Sequence, residues 1–149
     1  MIKVIGIGNP LLSDDGFGLA VAEELKKRKK TDKKVEIISL PTPSPWDIYE
    51  AMQEGDFFIV IDSFEYGIQG AIEVFPLNNA KPINSLFKTI HDVNINQVLD
   101  LLKLQGRDIK GVVVGTKGVQ FKLSLNLSDE MQKMVKPAVN KVIEILSDL

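Results

Sequence analysis

Three short apolar runs constrain this chain more than anything else in it: "IKVIGIG" (2–8), "FFIVID" (57–62) and "GVVVG" (111–115). None alternates polar with apolar residues, and each is closed by glycine or aspartate, the pattern of a strand covered on both faces. Stretches of helical period lie between them. Phe17, Val21 and Leu25 share one face of residues 17–29, and "WDIYEAMQEG" reads as a short helix ending at Gly55. Ile95, Val98, Leu99 and Leu102 recur at helical spacing over 94–105, with Asn94 as N-cap. "KVEIISL" (34–40) reads as a further strand, and "AIEVFPL" (71–77) alternates as an edge strand does. "FKLSL" (121–125) alternates too.

The last helix begins at Ser128, with Asp129 and Glu130 in its first turn, and runs through Met131, Val135, Ala138, Val142 and Ile145. Pro137 inside that pattern predicts a kink or a break. The prolines of "PTPSP" (41–45) predict an irregular loop after the second strand. Strand and helix in alternation give a single three-layer α/β/α domain over residues 1–149, with a mostly parallel central sheet.

Composition excludes several classes of function. With no cysteine among 149 residues, disulfides, thiolate nucleophiles and cysteine-held metal clusters are out. The net charge is −2, and the one basic run, Lys26 to Lys30, suits the solvated end of a helix, so nucleic acid is not the expected partner. No apolar run reaches the roughly 18–20 residues of a membrane span, and the amino terminus is strand-like rather than leader-like. A cytoplasmic monomer that meets no membrane is the expectation.

The chemistry concentrates at strand ends. "GIGNPLLSDDGFG" runs from the first strand into two adjacent carboxylates, Asp14 and Asp15, where a strand-to-helix turn needs at most one. Asp62 ends "FFIVID", and the only histidine, His91, lies in "KTIHDVNI" ahead of the helix at 94. In sheets of this kind sites form beyond the carboxyl ends of strands, where strand order reverses. If strands one and three are neighbours, Asp15, Asp62 and the His91 loop meet at one edge. Two carboxylates and an imidazole suit a divalent ion such as Zn²⁺ or Ni²⁺, which supports hydrolysis. Each residue also has a plainer role open to it. Either Asp14 or Asp15 could cap the following helix, Asp62 could bond loop amides, and a lone loop histidine could be structural.

Other motifs fail. "GIGNPL" lacks the third glycine of a dinucleotide fingerprint, "GVVVGTKG" lacks the spacing of a phosphate loop, and no Gly-x-Ser-x-Gly occurs. "GIGNP" also opens peptidyl-tRNA hydrolases, but Leu11 and the histidine-free stretch 12–90 do not fit them.

Taken together, "GIGNPLLSDDGFG", "FFIVIDSFEYG" and "KTIHDVNINQVLDLL" resemble the [NiFe]-hydrogenase maturation endopeptidases, in order and at similar intervals. "PTPSPWDI" and the histidine segment look most like the hydrogenase-3 type of formate hydrogenlyase. The resemblance implies metal-binding and catalytic roles for Asp15, Asp62 and His91, with Asp14 capping or bracing the turn. It implies an aspartic-type, metal-dependent peptidase that removes the C-terminal extension of a hydrogenase large-subunit precursor. Cleavage would follow nickel insertion, with the nickel supplied by the substrate and Zn or Cd able to substitute in vitro. Two segments depart from the family pattern, Gly115–Gly118 and the loop 40–47. They leave open an alternative: a non-catalytic α/β binding module or hydrogenase assembly chaperone on the same fold.

Overall fold

The computed structural model describes residues 1–28, 34–77 and 95–149. Its elements run β1 (Ile2–Gly8), α1 (Phe17–Lys27), β2 (Val35–Pro41), α2 (Pro45–Ala51), β3 (Phe57–Phe64), β4 (Glu73–Pro76), α3 (Ile95–Leu104), β5 (Gly111–Lys117), α4 (Asp129–Gln132) and α5 (Val135–Asp148). The five strands form one sheet in the order β2-β1-β3-β5-β4. The first three pairings are parallel, and β4 joins β5 antiparallel as the edge strand its alternation suggested.

The absence of alternation in the central strands has a direct cause. Phe58 and Val60 of β3 enter the apolar layer shared with Ile48 of α2, Met52 at its C-cap and Leu102 of α3. Ile59 and Ile61 enter the opposite layer, with Val21 of α1 and Val139 and Val142 of α5. A strand with a core on each side has no position left for water, so successive residues are all apolar.

Proline shapes the ends of elements. Pro41 closes β2, an edge strand where its missing N–H costs no ladder bond. Pro45 is the first residue of α2, and Ser44 caps that helix through a reciprocal bond with Asp47. The irregular segment expected over 41–45 therefore shrinks to 42–44. Pro137 does break the last helix. It cannot donate to the carbonyl of Lys133 and would clash with it, so α4 stops at Gln132 and α5 starts at Val135.

The alternating residues 121–125 do not form a strand. Only Ser124 pairs, in an isolated parallel bridge with Leu12, while Leu123 and Leu125 are 81% and 76% exposed. The pattern has two faces, but neither of them meets a core. The basic residues Lys26 and Lys27 close α1 as expected, whereas Lys29, Lys30, Asn94 and His91 lie outside the described residues.

The packing of α1 onto the sheet depends on two missing side chains. A Cβ on Gly18 would lie 2.2 Å from the carbonyl oxygen of Ile61 and 2.4 Å from that of Ile7, and one on Gly6 would lie 2.3 Å from the Gly18 carbonyl. The helix therefore rests directly on β1 and β3, just below the strand ends that carry the carboxylates. Gly18→Ala is expected to cost about 1–3 kcal/mol in urea unfolding by overpacking. An unchanged midpoint would show that the helix can lift without penalty.

Candidate active site

The reversal of strand order lies between β1 and β3, because β1 leads outward to β2 on one side and β3 leads on to β5 on the other. The segment following β1 is tightly folded. Asn9 accepts from the Leu11 amide through its side chain, and Ser13 takes a positive φ of 48° before the turn Ser13–Gly16 leads into α1. A Cβ on Gly8 would sit 1.9 Å from the Asp15 carbonyl oxygen, so only glycine allows the turn to close against the strand.

Asp14 and Asp15 take different partners. Asp14 is fully buried, and its carboxylate accepts four hydrogen bonds. The amides of Val119 and Gln120 donate to Oδ2 at 2.8 and 2.9 Å, and the Ser128 hydroxyl does so at 2.9 Å. The Ser128 amide donates to Oδ1 at 2.7 Å. Ser13 adds a hydroxyl bond to the Asn126 carbonyl at 2.7 Å and an amide bond to that of Ser124 at 2.8 Å. Asp14 does not cap α1, whose N-cap is Gly16 with no side-chain bond. It braces the chain from 118 to 128 across the carboxyl end of the sheet.

Asp15 accepts from the Asn9 amide at 2.8 Å. Asp62, two residues before the end of β3, is buried and accepts from the Ser63 amide at 2.7 Å; β3 runs on to Phe64, so this donor is a strand amide and not the loop amide expected from sequence. Burial raises the pKa of both groups. For Asp15 the negative charge of Glu65 adds to this, while the Asn9 amide opposes it. Asp62 is pushed well up by burial and then by the charge of Asp15, against the Ser63 amide. The fold therefore brings the two expected carboxylates within electrostatic reach of each other. Among the described residues neither forms an ion pair.

Two buried carboxylates that repel one another are a fitting place for a divalent cation, because the cation restores what burial and repulsion take from the ionised forms. Among the described residues no group of three metal-type donors occurs, and His91, the expected third donor, lies outside them. The unusual segment 115–118 leaves the end of β3 in place. β5 continues through it to Lys117, and Gly115 is close enough to the Asp62 carbonyl that a Cβ would lie 2.2 Å away.

The family model described as HycI, hydrogenase maturation protease, matches residues 19–145. The chain belongs to the hydrogenase maturation protease family. Its curated relatives include the hydrogenase 2 maturation protease of Escherichia coli, 24% identical over 99% of this chain and 91% of that one. A [NiFe] hydrogenase maturation protease HycI from Thermococcus kodakarensis has a solved structure with a TM-score of 0.70 at 27% identity, covering 98% of this chain and 92% of that one. The hydrogenase maturating endopeptidase HybD from E. coli shares the fold at a TM-score of 0.84, with 24% identity over 99% of this chain and 92% of that one. Among the described residues no helix of this protease is long and apolar enough to cross a membrane.

Two contributors to the candidate site were not evident in the sequence. Glu65 lies just beyond β3, and only the folded loop brings its charge to bear on Asp15. The segment 119–128 carried no signal of its own in the sequence; the only hint was that Asp14 and Asp15 together exceed what a cap requires. Near the strand ends Phe17 is core, while Trp46 and Tyr66 are exposed and Trp46 stacks on Tyr49 with ring centres 5.3 Å apart.

Asp14→Asn keeps the shape but removes the charge and one acceptor. It is expected to cost about 2–3 kcal/mol and to speed amide hydrogen exchange at Val119, Gln120 and Ser128 while β1 and β3 stay protected. Unaltered exchange at those three amides would show that the brace is not needed. Asp62 gives a pH-dependent prediction. Its folded pKa lies above the ordinary 3.8, so between those values the folded chain keeps a proton that the unfolded chain releases. Stability therefore falls as pH rises through that window and levels off above it. In metal-free buffer Asp62→Asn should be more stable than the wild type at neutral pH, with the gain shrinking toward pH 4; a constant difference across pH would contradict the assignment.

Proposed function

We propose that this protease is an endopeptidase that removes the C-terminal extension of a [NiFe]-hydrogenase large-subunit precursor after nickel insertion, and that Asp15, Asp62 and His91 meet the nickel carried by that substrate. The observation that carries the reading is the pair of buried carboxylates, Asp15 and Asp62, at the β1/β3 crevice of a hydrogenase maturation protease fold, with the charge of Asp15 bearing on Asp62. In an apo site that repulsion disfavours double ionisation; a cation presented by the precursor removes the penalty, so the site has affinity for the loaded substrate in particular.

On this reading Asp15 and Asp62 supply carboxylate oxygens and His91 an imidazole nitrogen. The Asn9 and Ser63 amides hold the two carboxylates in orientation. The nickel ion, as part of the substrate, polarises the scissile carbonyl or lowers the pKa of attacking water. Free Zn²⁺ or Cd²⁺ would take the same donors in vitro. The protease acts as a cytoplasmic monomer.

The test is the intact mass of the precursor after incubation with the protease, with and without nickel loading. Loss of a C-terminal peptide only from the loaded form is expected. Asp15→Ala, Asp62→Ala and His91→Ala should each lower that rate more than about 100-fold, since removal of a group that stabilises charge in the reaction commonly costs this much, with an unchanged circular dichroism spectrum. Normal cleavage by all three variants would refute the site. No cleavage of correctly loaded precursor by the wild type would instead favour the assembly-chaperone role.

A further inference from the structure

The break in the last helix leaves a cavity. Because α4 ends one turn after it begins, the Met134 amide turns back to the Met131 carbonyl, and α5 departs in a new direction. Beneath this joint lies a space of about 460 Å³. One wall is the end of β5 at Lys117 with Val119, and another is the turn Gln69–Gly70 beyond β3. Met131, Lys133 and Met134 of the helix joint line it as well.

Its position relates it to the site. Lys117 pairs in register with Phe64, two residues beyond Asp62, and the Gly118 amide donates to the Phe64 carbonyl at 2.9 Å. One strand across and two residues along is about 8 Å of backbone, which an extended peptide crosses in two or three residues. The wall at Val119 is also fixed, because its amide is one of the four donors to Asp14.

The chemistry of the lining selects an occupant. Met131 is buried and Met134 half-buried, and two flexible, polarisable thioethers make an adaptable apolar surface. Lys117 and Lys133 add two positive charges against the single negative charge of Glu130. Among the described residues neither lysine is in an ion pair. A ligand complementary to this lining carries an apolar side chain close to a carboxylate. Resting on the function proposed above, we propose that this cavity is the subsite for the C-terminal extension of the precursor, with an apolar side chain against Met131 and Met134 and a carboxylate held by Lys117 and Lys133.

The four methionines make the cavity directly observable. Met131 and Met134 line it, whereas Met52 is fully buried in the opposite apolar layer and serves as an internal reference. Protein labelled at the methionine methyl groups is titrated with a synthetic peptide of the precursor's C-terminal extension and followed by NMR. Saturable shifts of Met131 and Met134 with Met52 unmoved are expected. The double variant Lys117→Glu, Lys133→Glu should weaken peptide binding tenfold or more and raise KM for the loaded precursor with kcat within twofold, and Lys117→Arg, Lys133→Arg should restore both. An unmoved Met52 signal in the variants confirms the fold. If the wild type cleaves the precursor but the peptide moves no methionine signal, or charge reversal alters neither Kd nor KM, the subsite is refuted. If the wild type leaves the loaded precursor uncut, the function itself falls, and with it the ligand assigned here.

Discussion

The carboxyl end of this sheet is organised by one buried anion. Asp14 accepts four hydrogen bonds from a segment more than a hundred residues away in sequence, and with them it fixes the chain over the strand ends where no regular element exists. A carboxylate without water is costly unless its lone pairs are filled, and here they are filled by amides and a hydroxyl that would otherwise need partners of their own. The same stretch of backbone then presents Asp15 to the crevice. Neighbouring aspartates thus differ, with Asp14 satisfied by four donors and Asp15 holding one backbone donor at the crevice.

Asp15 and Asp62 show the contrasting way of burying charge. Each keeps a single backbone donor, and Glu65 adds to the negative potential instead of relieving it. Burial and the neighbouring charge both disfavour the ionised form of Asp62, which is the property the proposed cation contact would draw on. Beneath it, α1 lies on β1 and β3 with no Cβ between them at Gly6 and Gly18. The two carboxylates are therefore mounted on a closely packed part of the molecule, where backbone lies against backbone.

The helix break at Pro137 links the two ends of the same surface. Proline removes one donor and forces the chain to restart, and the restart opens the cavity lined by Met131 and Met134 beside the segment that Asp14 holds. A local covalent constraint, a long-range hydrogen-bond cluster and a repelling carboxylate pair thereby share one rim of the sheet.

Much of this was legible in the residues. Uninterrupted apolar runs identified the inner strands because a strand with two covered faces leaves no polar position; Asp62 stood out where one run stops and Asp15 in the turn that follows another. Proline at 137 announced its break because the ring's geometry is local. The alternation at 121–125 misled because period reports that a segment has two faces and says nothing about what each face meets. The donors that satisfy Asp14, the reach of Glu65, and the cavity under the helix joint depend on the folded chain and not on local pattern. The sequence by itself determined which segments could be strands and which acids stood at their ends, since both follow from local sterics and burial. Only the tertiary structure decided which of two adjacent aspartates would be satisfied and which left to repel its neighbour, because that depends on where distant amides come to lie.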